Sequence, residues 1–160
     1  MKKLLTLAAI TLFVTLTSNT LPAQESPFVG TWKLNLAKSN FAGAPAPKSE
    51  TRTVAAQGNG LKISIEGVAA DGSKISWSLS TNLDGKAAPV TGSGVPSGAD
   101  MLATKRIDAN TLTTSYLKAG KEVRTSQTTI SKDGKVTTVT AKFTDATGKS
   151  ATSVTVWDKQ

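Results

Sequence analysis

The sequence predicts an all-β protein whose antiparallel strands run up and down and close into a barrel of about ten strands. Turn-forming pairs recur along the chain, with Asn-Gly at position 59 and Asp-Gly at positions 71, 84 and 133, and such pairs suit tight hairpins. The segments between the turns are rich in threonine, valine and isoleucine, which favour strands. A flat sheet of ten strands would expose two long edges, and closure into a barrel removes them. A two-sheet β-sandwich is the alternative architecture.

Alternating residues show which strand faces are buried. Ile75, Trp77 and Leu79 share one phase and are separated by serines, and Ile63 and Ile65 alternate with polar residues in the same way. This period of two is typical of strands with one buried and one solvated face. The predicted strands are 28–35, 50–57, 61–69, 74–82, 86–92, 101–108, 111–118, 121–131, 135–143 and 149–157.

The first 23 residues have the features of a secretory signal peptide. Lys2 and Lys3 precede an apolar run over 4–16, and LPA at 21–23 offers a cleavage site between Ala23 and Gln24. The run is shorter than the roughly 20 residues that a membrane-spanning helix needs. We therefore predict a signal peptide over 1–23 and a single domain over 24–160, periplasmic or secreted and not stably inserted in a membrane. Because the chain has no cysteine, we do not expect a lipoprotein.

The absence of cysteine and histidine excludes several kinds of chemistry. Zinc sites of the usual kind, histidine-ligated haem and Ser-His-Asp or Cys-His catalysis all need these residues. The aspartates at 71, 84, 133 and 145 lie beside turns, where they suit turn chemistry better than acid–base catalysis. We predict no enzyme activity, no metal and no cofactor; an enzyme would need two carboxylates that converge in a cavity.

The basic charge of the chain is scattered. The formal net charge is +8, which falls to +6 without Lys2 and Lys3, and the remaining lysines and arginines form no continuous run. Scattered lysines fit solvated strand faces and turns better than a nucleic-acid surface. We therefore predict no nucleic-acid partner.

The stretch FVGTWKLN begins at Phe28, shortly after the predicted leader. Its pattern F-x-G-x-W-K-L resembles the opening strand of the calycin superfamily, which comprises lipocalins, fatty-acid-binding proteins and bacterial relatives. The resemblance implies a β-barrel in which the tryptophan closes one end and the glycine allows close approach to it. Phe28, Gly30 and Trp32 would then form a structural plug rather than a ligand site.

The chain also departs from that pattern. The fatty-acid binders' R-x-Y carboxylate clamp near the C-terminus is missing, so the resemblance does not carry their ligand over. The link over 36–49 is too short for a helix pair; we expect at most one helical turn before Pro45 and a lid over the barrel. Lipocalins stack a late arginine on the opening tryptophan, and Arg106, Arg124 or Lys159 could take that place here.

Two functions follow from a barrel of this kind, and both remain open. The first is an exported lipocalin-like protein that encloses a small, mostly apolar molecule in a cavity above roughly 300 Å³. The second is an interaction or structural envelope protein, or an inhibitor, with a filled barrel that acts through loops such as 92–99. For the first, the candidate polar anchors are Arg106 and Arg124, and the candidate lining residues are Ile63, Ile65, Ile75, Trp77, Leu79 and Tyr116.

Overall fold

The computed structural model describes residues 26–160, which form one antiparallel sheet of eleven strands. The predicted signal peptide and its cleavage site lie outside the described residues. In chain order the strands are β1 (Gly30–Asn40), β2 (Ser49–Gln57), β3 (Gly60–Val68), β4 (Lys74–Thr81), β5 (Asp84–Pro89), β6 (Thr91–Ser93), β7 (Met101–Arg106), β8 (Thr111–Lys118), β9 (Lys121–Ile130), β10 (Val136–Thr144) and β11 (Ser150–Lys159). A 3₁₀ turn, Pro96–Gly98, precedes β7. Within 26–160, no helix is long and apolar enough to cross a membrane.

The strands form a meander that curls into a nearly closed barrel. Most neighbours in the sheet are consecutive in the chain, and β1 pairs with both β2 and β11, which joins the two ends of the chain. Because all eleven strands belong to one sheet, the prediction of an up-and-down barrel is confirmed and the two-sheet sandwich is wrong. Closure protects most of the strand edges from pairing with other chains.

The segment 84–93 explains why there are eleven strands rather than ten. Its first half, β5, pairs with β7, and its second half, β6, pairs with β4 through residues 76–78. Val90 lies at the change of partner, where its N–H donates to the carbonyl oxygen of Asp100 at 2.9 Å. The single strand predicted over 86–92 is therefore bent and divided. No ladder joins β4 to β5 in the described sheet, which leaves a seam on this side of the barrel.

Gly92 is required where β6 pairs closely with β4. Its φ is +112°, and a Cβ atom there would clash with the carbonyl oxygen of Ser76 and lie 2.7 Å from the Cα atom of Trp77. We expect Gly92→Ala to lower the free energy of unfolding by about 3 kcal/mol, since both strain and overpacking destabilise. The control is Gly148→Ala, at φ +82° with no atom within 4 Å, which should cost only about 1 kcal/mol. Urea unfolding measures both losses of stability, and equal losses would contradict the close approach of Gly92 to β4.

The first strand is longer than predicted, and the link after it contains no helical turn. β1 continues to Asn40 with an irregular register between Asn35 and Asn40. Ser39 holds this extension in place, because its hydroxyl donates to the carbonyl oxygen of Asn35 at 2.7 Å and accepts from the N–H of Val156 at 3.0 Å. These bonds to β1 and β11 favour extended backbone over a helical turn. The link that remains, 41–48, has no regular secondary structure.

Trp32 closes one end of the barrel. Its side chain is 1% exposed, and its indole N–H donates to the carbonyl oxygen of Phe28 at 2.9 Å. Of the three basic residues considered for the tryptophan, Lys159 takes the position, with its ammonium 5.2 Å from the ring centre. Gly30 makes this possible, since a Cβ atom there would lie 2.8 Å from the Lys159 Cε atom. Thr31 and Lys33, on either side of Trp32 in the strand, face outward and are exposed, as strict alternation requires.

The aspartates beside turns act as turn residues. The Asp71 carboxylate accepts from the N–H of Ser73 at 2.8 Å, and the carboxylates at 84, 133 and 145 make the same bond two residues on. Hydrogen bonds to the ionised form hold the pKa of each of these four carboxyls below its usual value. The four groups therefore fix hairpin geometry on the outside of the barrel.

Candidate functional site

The barrel interior contains two cavities, one above the other. The upper cavity has a volume of about 350 Å³ and is lined by Leu34, Phe41, Ala44, Pro45, Pro47, Glu50, Arg52, Ile65, Trp77, Pro96, Ser97, Tyr116, Arg124, Val139, Phe143, Ser153, Thr155 and Trp157. The lower cavity, towards the closed end, has a volume of about 70 Å³ and is lined by Phe28, Arg52, Val54, Leu61, Ile63, Trp77, Leu79, Leu102, Thr104, Leu112, Thr114, Tyr116, Ser126, Thr128 and Val139.

Four residues line both cavities and form the floor of the upper one. They are Arg52 on β2, Trp77 on β4, Tyr116 on β8 and Val139 on β10. The mouth lies at the opposite end, where the 41–47 segment and the 96–97 turn contribute to the wall. The upper cavity is therefore a cup with a mixed polar and aromatic floor under two connecting segments.

Arg124 projects into the upper cavity from β9 between two aromatic rings. Tyr116 on β8 and Phe143 on β10 are its direct cross-strand neighbours, and its guanidinium carbon lies 5.7 Å and 4.8 Å from their ring centres. One terminal nitrogen, Nη2, donates to the Ser153 hydroxyl at 3.3 Å. Its Nε atom is buried and has no hydrogen-bond partner in the described chain. The rings hold the guanidinium in place and leave part of its hydrogen-bonding capacity unused.

Arg52 projects inward from β2 on the other side of the cup. Its guanidinium lies 4.1 Å from the ring centre of Trp157, which comes from β11. Stacking on an indole is a favourable arrangement for a guanidinium, and it fixes the plane of the charged group. The cavity therefore holds two oriented guanidinium groups that belong to different strands.

Glu50 is the one carboxylate among the lining residues of the upper cavity. It shares the inward phase of Arg52 on β2, yet no nitrogen of Arg52 or Arg124 lies within 4.0 Å of a carboxylate oxygen anywhere in 26–160; the two salt bridges there are Lys38–Asp158 and Lys86–Asp84. The interior charges therefore face the cavity without ion-pair contacts.

Burial acts on all three interior charges. It raises the pKa of Glu50, and the positive charges of Arg52 and Arg124 oppose that rise. It lowers the pKa of each arginine, and Tyr116 and Glu50 oppose that fall. Because a guanidinium group does not lose its proton in proteins, both arginines keep their charge at neutral pH. The cup therefore combines two fixed positive charges with one negative charge that burial makes easier to protonate.

The residues chosen from the sequence divide among several places. Ile63 and Leu79 line the lower cavity, Ile65 lines the upper one, and Trp77 and Tyr116 line both. Ile75 is buried in the core and lines neither cavity.

The two arginines proposed as anchors are also separated. Arg124 lines the upper cavity, as described above. Arg106 lines neither cavity and instead donates from Nη2 to the Ser26 hydroxyl at 3.2 Å, near the closed end. Its strand β7 ends there, so its side chain cannot approach the cup.

Sequence reasoning missed Glu50, Arg52, Phe143 and Trp157. Each lies in the inward phase of its strand: Glu50 and Arg52 share the phase of buried Val54, and Phe143 follows buried Val139 and Ala141. A signal was present, because a strand with charged residues in phase with its one buried apolar residue indicates a polar interior. Because charged residues are usually exposed, Glu50 and Arg52 were expected on the surface.

Comparisons with known proteins bear on the fold. No family model matches the chain, and no curated protein matches it. Among solved structures, zebrafish ileal bile acid-binding protein in complex with cholic acid matches with a TM-score of 0.56 and 15% identity, over 84% of this chain and 100% of that chain. The chain shares the β-barrel fold of that protein. Lobster apocrustacyanin A1 matches with a TM-score of 0.46 and 13% identity, over 86% of this chain and 63% of that chain.

The opening stretch FVGTWKLN has a structural role in this barrel. The stretch supplies the start of β1 and the tryptophan that fills the closed end, as the resemblance implied. The link over 41–48 contains no helix pair, as expected from its length. In this barrel the polar centre is built by β2 and β9 rather than by the last strand, whose inward residues are Ser153, Thr155 and Trp157.

Proposed function

We propose that this protein is an exported carrier that encloses a small amphipathic molecule bearing one anionic group. The observation that carries the proposal is the pair of guanidiniums, Arg52 and Arg124, which face a cavity of about 350 Å³ with no carboxylate in contact. The anionic group would bind between them, and the apolar part would lie against the aromatic and aliphatic wall. The predicted leader over 1–23 would place the carrier in the periplasm or outside the cell.

The charge balance of the cup supports an anionic ligand. Taking a charge out of water is costly unless it gains a partner, and here two positive charges share one negative charge, Glu50. A ligand with a single negative charge would neutralise the positive charge that Glu50 leaves unbalanced. Charge-assisted hydrogen bonds from guanidinium to an oxyanion are short and strong, and Arg124 has an unused Nε–H to offer.

The size and lining of the cup support a small molecule. A volume of about 350 Å³ lies at the lower end of the range for ligand sites. Apolar surface buried against Leu34, Ile65 and Phe143 would contribute roughly 25 cal/mol per Å². The zebrafish bile acid-binding protein, which has the same kind of barrel, forms a complex with cholic acid, and this supports a ligand carrier at this general level.

The sequence prediction of a mostly apolar ligand needs one change. The cavity is present at the predicted size, and its wall includes the predicted anchor Arg124 together with two charged side chains, Glu50 and Arg52, that the prediction did not contain. A filled barrel that acts only through its loops gains no support from this interior. The ligand class therefore changes from lipophile to acidic amphiphile.

Native mass spectrometry of protein purified from its own compartment tests the proposal directly. We expect the mass of residues 24–160 together with a bound acidic molecule of a few hundred daltons. A matched panel provides the second arm: decanoate should bind and raise the melting temperature, decanol should bind more weakly, and decyltrimethylammonium should not bind. A clean mass with no response to any of the three would refute the carrier.

A further inference from the structure

Glu50 lies close enough to Arg52 for its charge to affect an anion bound between Arg52 and Arg124. It lies two residues before Arg52 on the inward face of β2, so the two Cα atoms are about 7 Å apart along the strand. Its cross-strand partner on β3 is Gly67, where a Cβ atom would lie 3.0 Å from the Glu50 Cγ atom. The missing side chain on β3 therefore leaves the room that the Glu50 side chain occupies inside the barrel.

The Glu50 carboxylate has no partner that would hold it away from a ligand. It makes no salt bridge within 26–160, and no side-chain hydrogen bond of the described residues involves its oxygens. Both arginines still act on it through space, because their positive charges oppose the rise of its pKa. An anion that enters the cup would meet the same two guanidiniums and this carboxylate together.

We propose that Glu50 determines the strength of anion binding and its dependence on pH, because its ionised carboxylate offsets part of the positive charge that Arg52 and Arg124 present to the ligand. This inference rests on the proposed function, since it concerns the same cavity. Ionised Glu50 leaves the cup with a net charge of +1, and protonated Glu50 leaves it with +2. Anions therefore bind more tightly when Glu50 is protonated.

The direction of the pH effect follows from the groups that face the cup. In the described chain these are Glu50 and Arg52 on β2, Tyr116 on β8 and Arg124 on β9; the lining residues of all other elements are uncharged. Burial raises the pKa of Glu50 above its usual value, so this carboxylate takes up a proton at a higher pH than a solvated glutamate does. Affinity for an anion should rise as pH falls through that pKa, and by linkage a bound anion raises the same pKa further.

The experiment uses 1-decanesulfonate, whose sulfonate stays ionised throughout, measured by isothermal titration calorimetry from pH 4 to pH 8 at constant ionic strength. We expect binding to tighten by about tenfold towards the acidic end, the size of one charge–charge interaction across roughly 10 Å at an effective dielectric constant of about 20. Glu50→Gln should bind at the tight level at every pH. Near-UV circular dichroism at each pH verifies that the barrel is folded.

The matched control is Glu66→Gln, which removes an exposed carboxylate on the outer face of β3 and should keep the wild-type profile. If Glu50→Gln does not fold, Glu50→Leu removes the same charge and should give the same flat profile. Binding that is equally strong at all pH values in the wild type, or a slope that persists without Glu50, would overturn this inference and leave the carrier intact. A failure of decanesulfonate to bind at any pH would instead overturn the carrier.

Discussion

Replacing Trp32 by alanine is expected to lower the free energy of unfolding by about 3–5 kcal/mol. The side chain is 1% exposed and belongs to the apolar cluster that closes the barrel, together with Phe28, Leu61 and Leu112. Its removal leaves a cavity that a closed sheet cannot collapse to fill. It also leaves the carbonyl oxygen of Phe28 without its indole donor, and an unpaired buried acceptor adds to the cost.

Urea unfolding followed by far-UV circular dichroism measures this loss as a shift of the midpoint. The matched control is Trp77→Ala, which removes the same side chain from a partly buried position on the cavity wall and should cost less. Trp32→Phe, which keeps a ring but loses the indole N–H, should fall between the parent and Trp32→Ala. If Trp32→Ala unfolds at the same urea concentration as the parent, the closed end does not depend on this plug.

The features that the sequence could predict are those set by local patterning. Turn pairs and the period of two locate most strands within a few residues, and Ile75, Trp77 and Leu79 do share an inward face. The misplaced elements depend on contacts between strands. The Ser39 hydroxyl extends β1 through a bond to β11, and the 84–93 segment divides because its halves have different partners. Neither contact is visible in the local sequence.

The polar centre of the barrel was harder to predict for the same reason. Arg52 and Glu50 lie in a strand whose one buried apolar residue, Val54, is a weak signal of phase, and the register of β2 against β1 and β3 fixes that they face inward. The choice of Lys159 over Arg106 and Arg124 for Trp32 likewise depends on register, since Trp32 lies opposite Lys159 in the β1–β11 ladder. The phase of a strand limits which residues can face inward, and the pairing of that strand with its neighbours determines which of them do.

Replacing both interior arginines by methionine is expected to weaken the binding of decanoate by at least about 100-fold. A hydrogen bond to a charged group contributes about 1.5–3 kcal/mol, and about 1.4 kcal/mol corresponds to a factor of ten in affinity. Arg52→Met and Arg124→Met should each account for roughly tenfold or more, measured by isothermal titration calorimetry. The affinity for decanol should fall much less in the double variant, because decanol carries no charge for the arginines to bind.

Arg106→Met is the matched control for the two interior substitutions. It removes the same charge from a side chain that bonds to Ser26 near the closed end and lines neither cavity, so decanoate affinity should not change. An equal loss in Arg106→Met would show that overall charge, rather than the cup, attracts the ligand. Equal losses for decanoate and decanol would show that the arginines only shape the cavity.

The stability of the same variants separates a binding role for the arginines from a structural one. A buried charge without an ion-pair partner is costly to the fold, and replacing such groups by apolar residues of similar size is often neutral or stabilising. Arg124 is in this position, since its Nε–H is buried without a partner and its guanidinium contacts no carboxylate in the described chain. If Arg124 serves the ligand, Arg124→Met should lose decanoate affinity and unfold at an equal or higher urea concentration. If it serves the fold, through Tyr116 and Phe143, the variant should unfold at a lower concentration instead.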